Sequence, residues 1–571
     1  MEVITVMKSQ FENLLEGYAP MEGLNQDTPH ILAIDEFDTP SPHVRVSGRF
    51  GDGADPQFSI YLPPKEQWEG RFFQKVHPFL YLDSVIEDFA FYSASGGYSI
   101  SVPQGIMGHA DHAAAAHVSR TIAKNYYEYN EKIYGYLYGG SGGSMQTIGG
   151  LEVSTGLVWD GAVPYIVAEP ASLGNFDIRR FARAVLEDKG PLIADAVKPG
   201  GSGNPYAMLN DMESDILTEV TKLGIPLQAW ENYKYLFMVP INPELIDCLN
   251  AAGELNETYT NAFWKEPGYL AAYDPELRNL FYSLRDRGVS EGALAKIAYH
   301  RHKDPGPTLY TWNHLRDSNG DPLYAQTTGI HHAIETAKMT SGGATWNGKI
   351  NHKTIMVVNQ MDLDAFPSDG DYYWKRVKEM GRESDFRFWF NENADHHHMH
   401  NDPRLLDLNN RLISYTGILE QALLDLSAWV ERGVEPPAST SYNVADSQLI
   451  VAENAAERGG IQPVVQLTAN GSARANITSG GSVDLSASIQ VPPGTGEIVS
   501  VEWDFLGDGG FVDADFDALP DGSWAANASY TYNEEGTYFP QLRVASQRDG
   551  NSDTPFARVY NHGRARVIVG E

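Results

Sequence analysis

The chain has 571 residues, 42% hydrophobic and 11% aromatic, which is typical of globular proteins and predicts more than one domain. A formal net charge of −33 argues against nucleic acids and anionic membranes as partners, and no apolar run reaches the roughly 20 residues that span a bilayer. The single cysteine, Cys248, excludes an intrachain disulfide and a cysteine-based metal site, and the first residues lack the pattern of a signal peptide.

Up to about residue 167, segments rich in β-branched and aromatic residues alternate with helical patterns. The first two predicted strands flank a glycine-containing turn and should pair antiparallel, and a long helix is expected from His112 to Asn130. Strands that alternate with helices predict a mostly parallel sheet covered on both faces, which is an α/β fold. The predicted strands are His43–Phe50, Gln57–Leu62, Gly70–Val76, Ser99–Pro103, Lys132–Tyr138 and Leu157–Val167.

From about residue 172 to 347 the pattern changes to helices and loops with many aromatic residues. This change predicts a helical lid inserted into the sheet domain. The strand pattern resumes at Lys353–Asn359 and again at Asp385–Phe390. Apolar residues at helical spacing from Leu405 to Trp429 then close the domain.

The sequence Gly139-Gly-Ser-Gly-Gly143 follows a predicted buried strand and precedes an amphipathic run suited to a helix. A G-x-S-x-G turn in this context holds its serine in a strained conformation, and the flanking glycines avoid Cβ clashes. Ser141 is therefore the candidate nucleophile, and the alternative is a glycine-rich loop without chemistry. A second match, Gly288-Val-Ser-Glu-Gly292, follows a charged helical pattern, and Ser290 is better explained as a helix N-cap.

A serine hydroxyl becomes nucleophilic when an imidazole accepts its proton and a carboxylate fixes that imidazole. In hydrolases with a strand-turn-helix serine motif, the acid and then the histidine follow later strands. Asp362 comes directly after the apolar run Ile355–Met361, and Asp364 is the alternative acid. The segment Asn391–His400 follows the next strand and contains the candidate bases.

The candidate bases are His396, His397, His398 and His400, and they would also allow a metal site. We favour a base over a metal site because consecutive histidines point in different directions and no H-E-x-x-H pattern is evident. Asp317–Asp321 has alternating oxygen ligands for Ca²⁺, but a surface turn explains it better. We therefore predict no catalytic metal.

A tetrahedral oxyanion requires two hydrogen-bond donors. The backbone N–H of Gly142 is the first donor if the turn is an elbow, and the second should come from the loop after Gly70–Val76. Pro78 has no N–H, so His77 and Phe79 are the alternatives, and we select Phe79 as the candidate.

Distinctive aromatic and glycine patterns occur at Trp68–Gln74, Tyr136–Gln146, Trp159–Val163, Phe386–Phe390 and Leu424–Pro437. Together they resemble the tannase and feruloyl esterase family of α/β-hydrolases over roughly residues 40 to 437. The resemblance implies a Ser-Asp-His esterase whose lid shapes the pocket, with His396 as the catalytic histidine. The cysteines that this family usually has beside the serine and the histidine are replaced by Gly140 and His397.

Beyond about residue 464, short alternating strands with glycine-rich turns predict a β-sandwich. Val501–Gly509 and Tyr530–Tyr538 resemble a PKD-type sandwich, and such modules imply an extracellular enzyme that acts on polymers. We therefore expect an extracellular or periplasmic protein. Three acidic residues would allow a structural Ca²⁺ or form a solvated acidic loop: Asp513, Asp515 and Asp517.

We therefore predict an α/β-hydrolase domain at 1–435 with its lid at about 172–347, a linker at 436–463 and a PKD-like sandwich at 464–571. The predicted activity is hydrolysis of carboxylic esters, aromatic or polymer-linked, through an acyl-enzyme and without a required cofactor. A peptidase or amidase is one alternative because the same triad cleaves amides. A binding or adhesion protein with a degenerate hydrolase domain is the other, because His77–Leu80 replaces the glycine-rich oxyanion loop that the resemblance implies after Phe73, and the cysteine pair is missing.

Overall fold

The computed structural model describes residues 4–5, 13–78, 86–103, 109–153, 158–168, 173–238, 279, 282–283, 285–286 and 346–571. Its largest element is a sheet of ten strands. These strands are β1 (Ile4–Thr5), β2 (Pro29–Phe37), β3 (His43–Phe50), β4 (Phe58–Leu62), β5 (Arg71–Lys75), β6 (Gly97–Ser101), β7 (Tyr134–Ser141), β8 (Gly161–Val167), β9 (Lys353–Asn359) and β10 (Phe386–Asn391).

The spatial order of the sheet is β1-β2-β3-β4-β6-β5-β7-β8-β9-β10. The neighbouring strands β2, β3, β4 and β6 pair antiparallel in that order. From β6 onward, the neighbouring strands β6, β5, β7, β8, β9 and β10 pair parallel in that order. When the eight strands from β3 to β10 are numbered 1 to 8 in chain order, their spatial order is 1-2-4-3-5-6-7-8. The second of them, β4, is antiparallel to both of its neighbours. This is the sheet of the α/β-hydrolase fold, and the predicted fold class is confirmed.

Helices occur in the described chain up to Arg458. They are α1 (Phe89–Ala94), α2 (His109–Tyr127), α3 (Gly142–Val153), α4 (Leu173–Leu186), α5 (Gly190–Val197), α6 (Asp211–Lys222), α7 (Tyr233–Phe237), α8 (Pro367–Glu379), α9 (Thr416–Arg432) and α10 (Ala455–Arg458). Short 3₁₀ helices occupy Lys65–Gln67, Glu187–Lys189, Gln228–Asn232, Glu383–Asp385 and Leu406–Asn410.

The sheet is buried on both faces because its side chains alternate between two hydrophobic clusters. Phe72 and Leu137 pack with α2, α3 and α8 on one face. Phe73 and Tyr136, their immediate neighbours, pack with α1 and α9 on the other face. A parallel sheet sandwiched in this way explains why its strands appear in the sequence as nearly continuous apolar runs.

The described part of the region between β8 and β9 is helical, as expected. Helices α4 to α7 surround Trp230, which is fully buried, in a separate hydrophobic cluster. Helix α6 begins with a capping box, in which the Asn210 side chain accepts from the Glu213 N–H and the Glu213 side chain accepts from the Asn210 N–H. Leu363 and Phe366, from the loop after β9, also belong to this cluster, so the helices pack directly beside the candidate site.

Residues from 464 onward form the expected all-β region. The strands are β13 (Val464–Ala469), β14 (Arg474–Thr478), β15 (Gly481–Gln490), β16 (Glu497–Asp504), β17 (Val512–Asp513), β18 (Asp517–Ala518), β19 (Trp524–Tyr532), β20 (Gly536–Tyr538), β21 (Gln541–Gln547), β22 (Val559–Arg564) and β23 (Arg566–Gly570). One sheet has the order β13-β15-β19-β18, a second β14-β23-β20 and a third β17-β16-β21-β22 around a core that contains Trp503.

The segment 436–463 contains a hairpin of β11 (Tyr442–Ala445) and β12 (Gln448–Val451), followed by α10. The Thr440 N–H donates to the carbonyl of Phe388 on β10 at 2.8 Å. The Gln448 side chain donates to the carbonyls of Thr221 and Ile225 beside α6, each at 3.1 Å. This segment is therefore packed against the first domain along its length.

The structure corrects several element boundaries. The single helical run expected from Leu405 to Trp429 is divided into the 3₁₀ helix Leu406–Asn410 and α9, which begins only at Thr416. Strand β8 begins at Gly161, so the described residues 158–160 lie before the strand and not within it as predicted. Strand β2 was not predicted, and its mixed polar and apolar side chains are only partly buried, which explains the weak signal. Among the described residues, no helix is long and apolar enough to cross a membrane.

Candidate active site

The serine turn lies where the sequence motif predicts it. Ser141 is the last residue of β7, and α3 begins at Gly142. The backbone φ of Ser141 is 54°, in the left-handed region that non-glycine residues rarely adopt. A strained serine between a strand and a helix is the geometry of a nucleophile elbow. The Ser144 hydroxyl donates to the Ser141 carbonyl at 2.6 Å and so helps to hold the turn.

The glycines around Ser141 are required by close packing. A Cβ on Gly143 would overlap the carbonyl oxygen of Val76 at the end of β5. A Cβ on Gly140 would overlap the ring of Tyr165 on the neighbouring strand β8. A side chain at Gly140, where the sequence resemblance would place a cysteine, would therefore require the Tyr165 ring to shift.

Asp362 and His396 lie together after β9 and β10, respectively. The imidazole Nδ1 of His396 is 2.9 and 3.0 Å from the two carboxylate oxygens of Asp362. Asp362 is fully buried, and its Oδ1 also accepts the backbone N–H groups of Asp364 and Ala365 at 2.8 Å each. These contacts fix the carboxylate and leave the Nε2 side of the imidazole for another partner.

The electrostatics of this pair favour a charged imidazole. Burial by itself disfavours the imidazolium, but the neighbouring carboxylate of Asp362 outweighs burial and raises the pKa of His396 to about 9. The Tyr415 hydroxyl donates to the His396 carbonyl at 3.0 Å and restrains the backbone there. We call residues Asn391–His396 the histidine loop.

Asp364, the alternative acid, has other partners. Its carboxylate is ion-paired with the buried Arg179 of α4 and accepts the Tyr235 hydroxyl of α7 at 2.5 Å. Burial opposes ionisation of Asp364, but the Arg179 guanidinium outweighs it and lowers the pKa of this carboxyl. Asp364 therefore connects the inserted helices to the loop after β9, whereas Asp362 contacts His396.

The remaining histidines point to different partners. His400 Nε2 is 2.6 Å from the buried carboxylate of Asp395, and His398 stacks on Tyr415 with ring centroids 3.8 Å apart. His397 Nε2 is 2.9 Å from the Tyr235 hydroxyl. Across the described ranges, no group of three or more His, Cys, Asp or Glu side chains could hold a metal ion.

The structure describes residues 513, 515 and 517 of the sandwich, the acidic residues that the sequence analysis considers as ligands of a structural Ca²⁺. Asp317–Asp321, Ser290 and Phe79 lie outside the described residues.

The loop after β5 lies against the elbow. A Cβ on Gly142 would be 2.9 Å from the Pro78 ring and 4.0 Å from His77 Nε2. Burial, with smaller contributions from the charges of His396 and Lys75, lowers the pKa of His77 to about 4, so its imidazole is neutral at pH 7. His77 thus lies beside Gly142, and the charge of His396 influences its imidazole.

Parallel strands place these residues at one edge of the sheet. Strands β7, β8, β9 and β10 are neighbours; Ser141 ends β7, and Asp362 and His396 follow the carboxyl ends of β9 and β10. Ligand sites of open α/β sheets form at this edge. The sheet order and the serine elbow define the class: an α/β-hydrolase fold, followed by a β-sandwich.

Comparison with known proteins adds to this description. Residues 466–559 match the PKD domain family, which confirms the predicted C-terminal module. Similar solved structures include feruloyl esterase B from Aspergillus oryzae, with 16% identity over 77% of this chain and 94% of that chain and a TM-score of 0.38. Tannin acyl hydrolase from Aspergillus niger shows 12% identity over 79% of this chain and 92% of that chain, with a TM-score of 0.40.

An esterase from Aspergillus oryzae shows 13% identity over 76% of this chain and 92% of that chain, with a TM-score of 0.32. These structural neighbours include a feruloyl esterase and a tannase, the family that the sequence motifs resemble. A sequence comparison with curated proteins returned no match.

Three groups that contact the candidate site were not identified from the sequence. Tyr415, Arg179 and Tyr235 contact residues that are 19 to 185 positions away in the chain. Local periodicity contains no information about such partners. Composition offers a general signal, because tyrosine and arginine side chains need polar partners when they are buried.

Proposed function

We propose that this protein is a serine hydrolase that cleaves carboxylic esters through an acyl-enzyme. The observation that supports it most is the pair formed by His396 and the buried Asp362, 2.9 Å apart, at the sheet edge that also bears the strained Ser141. A strained serine followed in chain order by an acid and a paired histidine is the arrangement of α/β-hydrolase triads. It supports nucleophilic catalysis over a binding role.

In the proposed mechanism, His396 Nε2 accepts the proton of the Ser141 hydroxyl as the serine oxygen attacks the ester carbonyl. The carboxylate of Asp362 accepts the Nδ1–H of His396, which holds the tautomer and stabilises the imidazolium that forms. His396 then protonates the leaving alcohol. In the second half of the cycle it activates water, which attacks the acyl group and releases the acid.

The Gly142 N–H is the proposed first donor to the oxyanion, since it follows the nucleophile at the start of α3. Phe79 is the proposed second donor, with the His77 N–H as the alternative from the same loop. Loss of one oxyanion donor typically costs about 3 kcal/mol of transition-state stabilisation. The contact between Pro78 and the elbow supports this loop as the source of that donor.

We extend the proposal to aromatic or polymer-linked esters and to an extracellular or periplasmic setting. The sequence motifs of the first domain support the substrate class, and the PKD domain at 466–559 supports the setting. The helical region that contributes Tyr235 and Trp230 beside the site is the proposed lid over the acyl or alcohol pocket.

A fluorophosphonate probe tests the proposal directly. The wild-type chain should be labelled stoichiometrically, and Ser141→Ala should not be labelled. An unlabelled wild type would contradict the enzyme and favour a binding protein, and equal labelling of both would indicate a different serine. A matched pair of p-nitrophenyl ester and p-nitroanilide then separates an esterase from an amidase, and a panel of aryl and alkyl esters identifies the acyl class.

A further inference from the structure

We propose that the C-terminal β-sandwich is a permanent part of the catalytic unit, in which Asn561 on β22 and Gln462 before β13 act as positioning residues for the histidine loop. This inference rests on the proposed function, because it assigns these residues a role in orienting His396. It goes beyond that function, since it makes the second domain a structural requirement of the first domain's chemistry.

Gln462 connects the beginning of the histidine loop to the sandwich. Its side chain is 2% exposed, and its Oε1 accepts the Glu392 N–H at 2.8 Å. Its Nε2 donates to Asn391 Oδ1 at 2.8 Å and to the Tyr560 carbonyl of β22 at 2.9 Å. One buried amide therefore uses both ends to join the loop to the strand beside it.

Asn561 holds the middle of the loop. Asn393 has φ of 57°, a left-handed conformation that needs support in a non-glycine residue. Its Nδ2 donates to Asn561 Oδ1 at 2.8 Å and to the His562 carbonyl at 3.3 Å. Asn561 is 1% exposed, and its own Nδ2 donates to the Pro463 carbonyl at 2.7 Å.

On its other side the same loop is bound to the sheet. The side chain of Asn359 on β9 donates to the Asp395 carbonyl at 2.6 Å, one residue before His396. The Met361 N–H donates to the Ala394 carbonyl at 3.0 Å. The sheet edge holds residues 391, 394 and 395, and Gln462 and the sandwich add contacts to residues 391–393. The position of His396 thus depends on both domains.

Buried ion pairs fix the sandwich in place. Arg564 of β22 forms a two-pronged pair with the buried Glu231 of the inserted region at 2.5 and 2.6 Å. Arg548 forms another with Asp425 of α9 at 2.7 and 3.0 Å. A domain joined only by a flexible tether would leave such charges in water, where each is better solvated. These pairs therefore indicate a docked domain with one orientation.

The test uses Asn561→Ala in the full chain, with the exposed Asn527→Ala on β19 as the control. Hydrolysis of p-nitrophenyl acetate is measured together with end-point fluorophosphonate labelling, which counts folded active sites. For Asn561→Ala we expect kcat per labelled site to fall roughly 10- to 100-fold with KM within about twofold, because a small displacement of a catalytic group costs this much. Asn527→Ala should match the wild type.

A second variant covers the case in which Asn561→Ala does not fold. Asn393→Gly keeps the left-handed backbone accessible but removes the amide that contacts Asn561. It should also lower kcat with KM unchanged, and the double variant should be no worse than the more impaired single variant, because both substitutions remove the hydrogen bond between Asn393 and Asn561. Wild-type kcat in Asn393→Gly, or strictly additive losses, would overturn the inference. A wild type that is neither labelled nor active would overturn the proposed function instead.

Discussion

The two sides of the candidate site are held in different ways. The serine side, Gly139–Gly143, is shaped by its own sequence: glycines without Cβ atoms let the turn pack against Val76 and Tyr165. The sequence of the histidine loop contains no comparable glycine pattern. Its conformation depends on hydrogen bonds with residues up to 169 positions away in the chain. One side of the candidate site is therefore encoded locally, and the other side is assembled by the fold.

The largest change in the labelling rate is expected for a substitution of Asp362, the partner of His396. Asp362→Asn should lower the rate of fluorophosphonate labelling by about 10³- to 10⁴-fold, because the amide cannot hold the imidazole in the required tautomer. The matched variant Asp364→Asn should stay within about tenfold of the wild type in labelling. It should nevertheless lower the free energy of unfolding by about 3–5 kcal/mol, because Arg179 would be left as an unpaired buried charge. A larger labelling defect in Asp364→Asn would make it the triad acid.

The pH dependence tests the electrostatics of the same pair. Since Asp362 raises the pKa of His396 to about 9, the imidazole is protonated at pH 7 and cannot accept the serine proton. The labelling rate should therefore rise about tenfold per pH unit from pH 6 and level off near pH 9. A rate that is constant from pH 6 to 10 would contradict His396 as the base.

On the serine side, Gly143→Ala should lower kcat/KM by roughly 100-fold, because the new methyl group displaces either the elbow or the strand β5 that precedes the oxyanion loop. The melting temperature should also fall, since overpacking costs about 1–3 kcal/mol. Gly570→Ala is the control, because a Cβ there would meet no atom within 4 Å. Full activity in Gly143→Ala would show that the elbow tolerates a side chain.

The smallest effect is expected for Tyr415→Phe. This variant removes one hydrogen bond to the His396 carbonyl, worth about 1 kcal/mol, while the aromatic contact with His398 remains. We expect kcat for p-nitrophenyl acetate to fall about two- to fivefold with KM unchanged, in line with that energy. An unchanged kcat would mean that the other contacts of the histidine loop are sufficient by themselves.

The sheet and the elbow could be predicted because their signals are local. Strand β9, Lys353–Asn359, and strand β3, His43–Phe50, match their predicted bounds. Each consists of a short apolar or alternating run bounded by polar residues, and no distant contact is needed to recognise it. The division of the Leu405–Trp429 run could not be predicted, because a 3₁₀ helix and an α-helix use nearly the same apolar spacing.

The sequence by itself determined the α/β fold, the C-terminal β region and Ser141 as the candidate nucleophile, because periodicity and glycine placement act over a few residues. The sequence favoured Asp362 over Asp364 only by its position next to the strand end. The tertiary structure showed that Asp362 contacts His396 and that Asp364 pairs with Arg179, because the fold supplies different partners to the two carboxylates. It also showed the sandwich docked on the histidine loop, because buried amides and ion pairs join residues that only folding brings into contact.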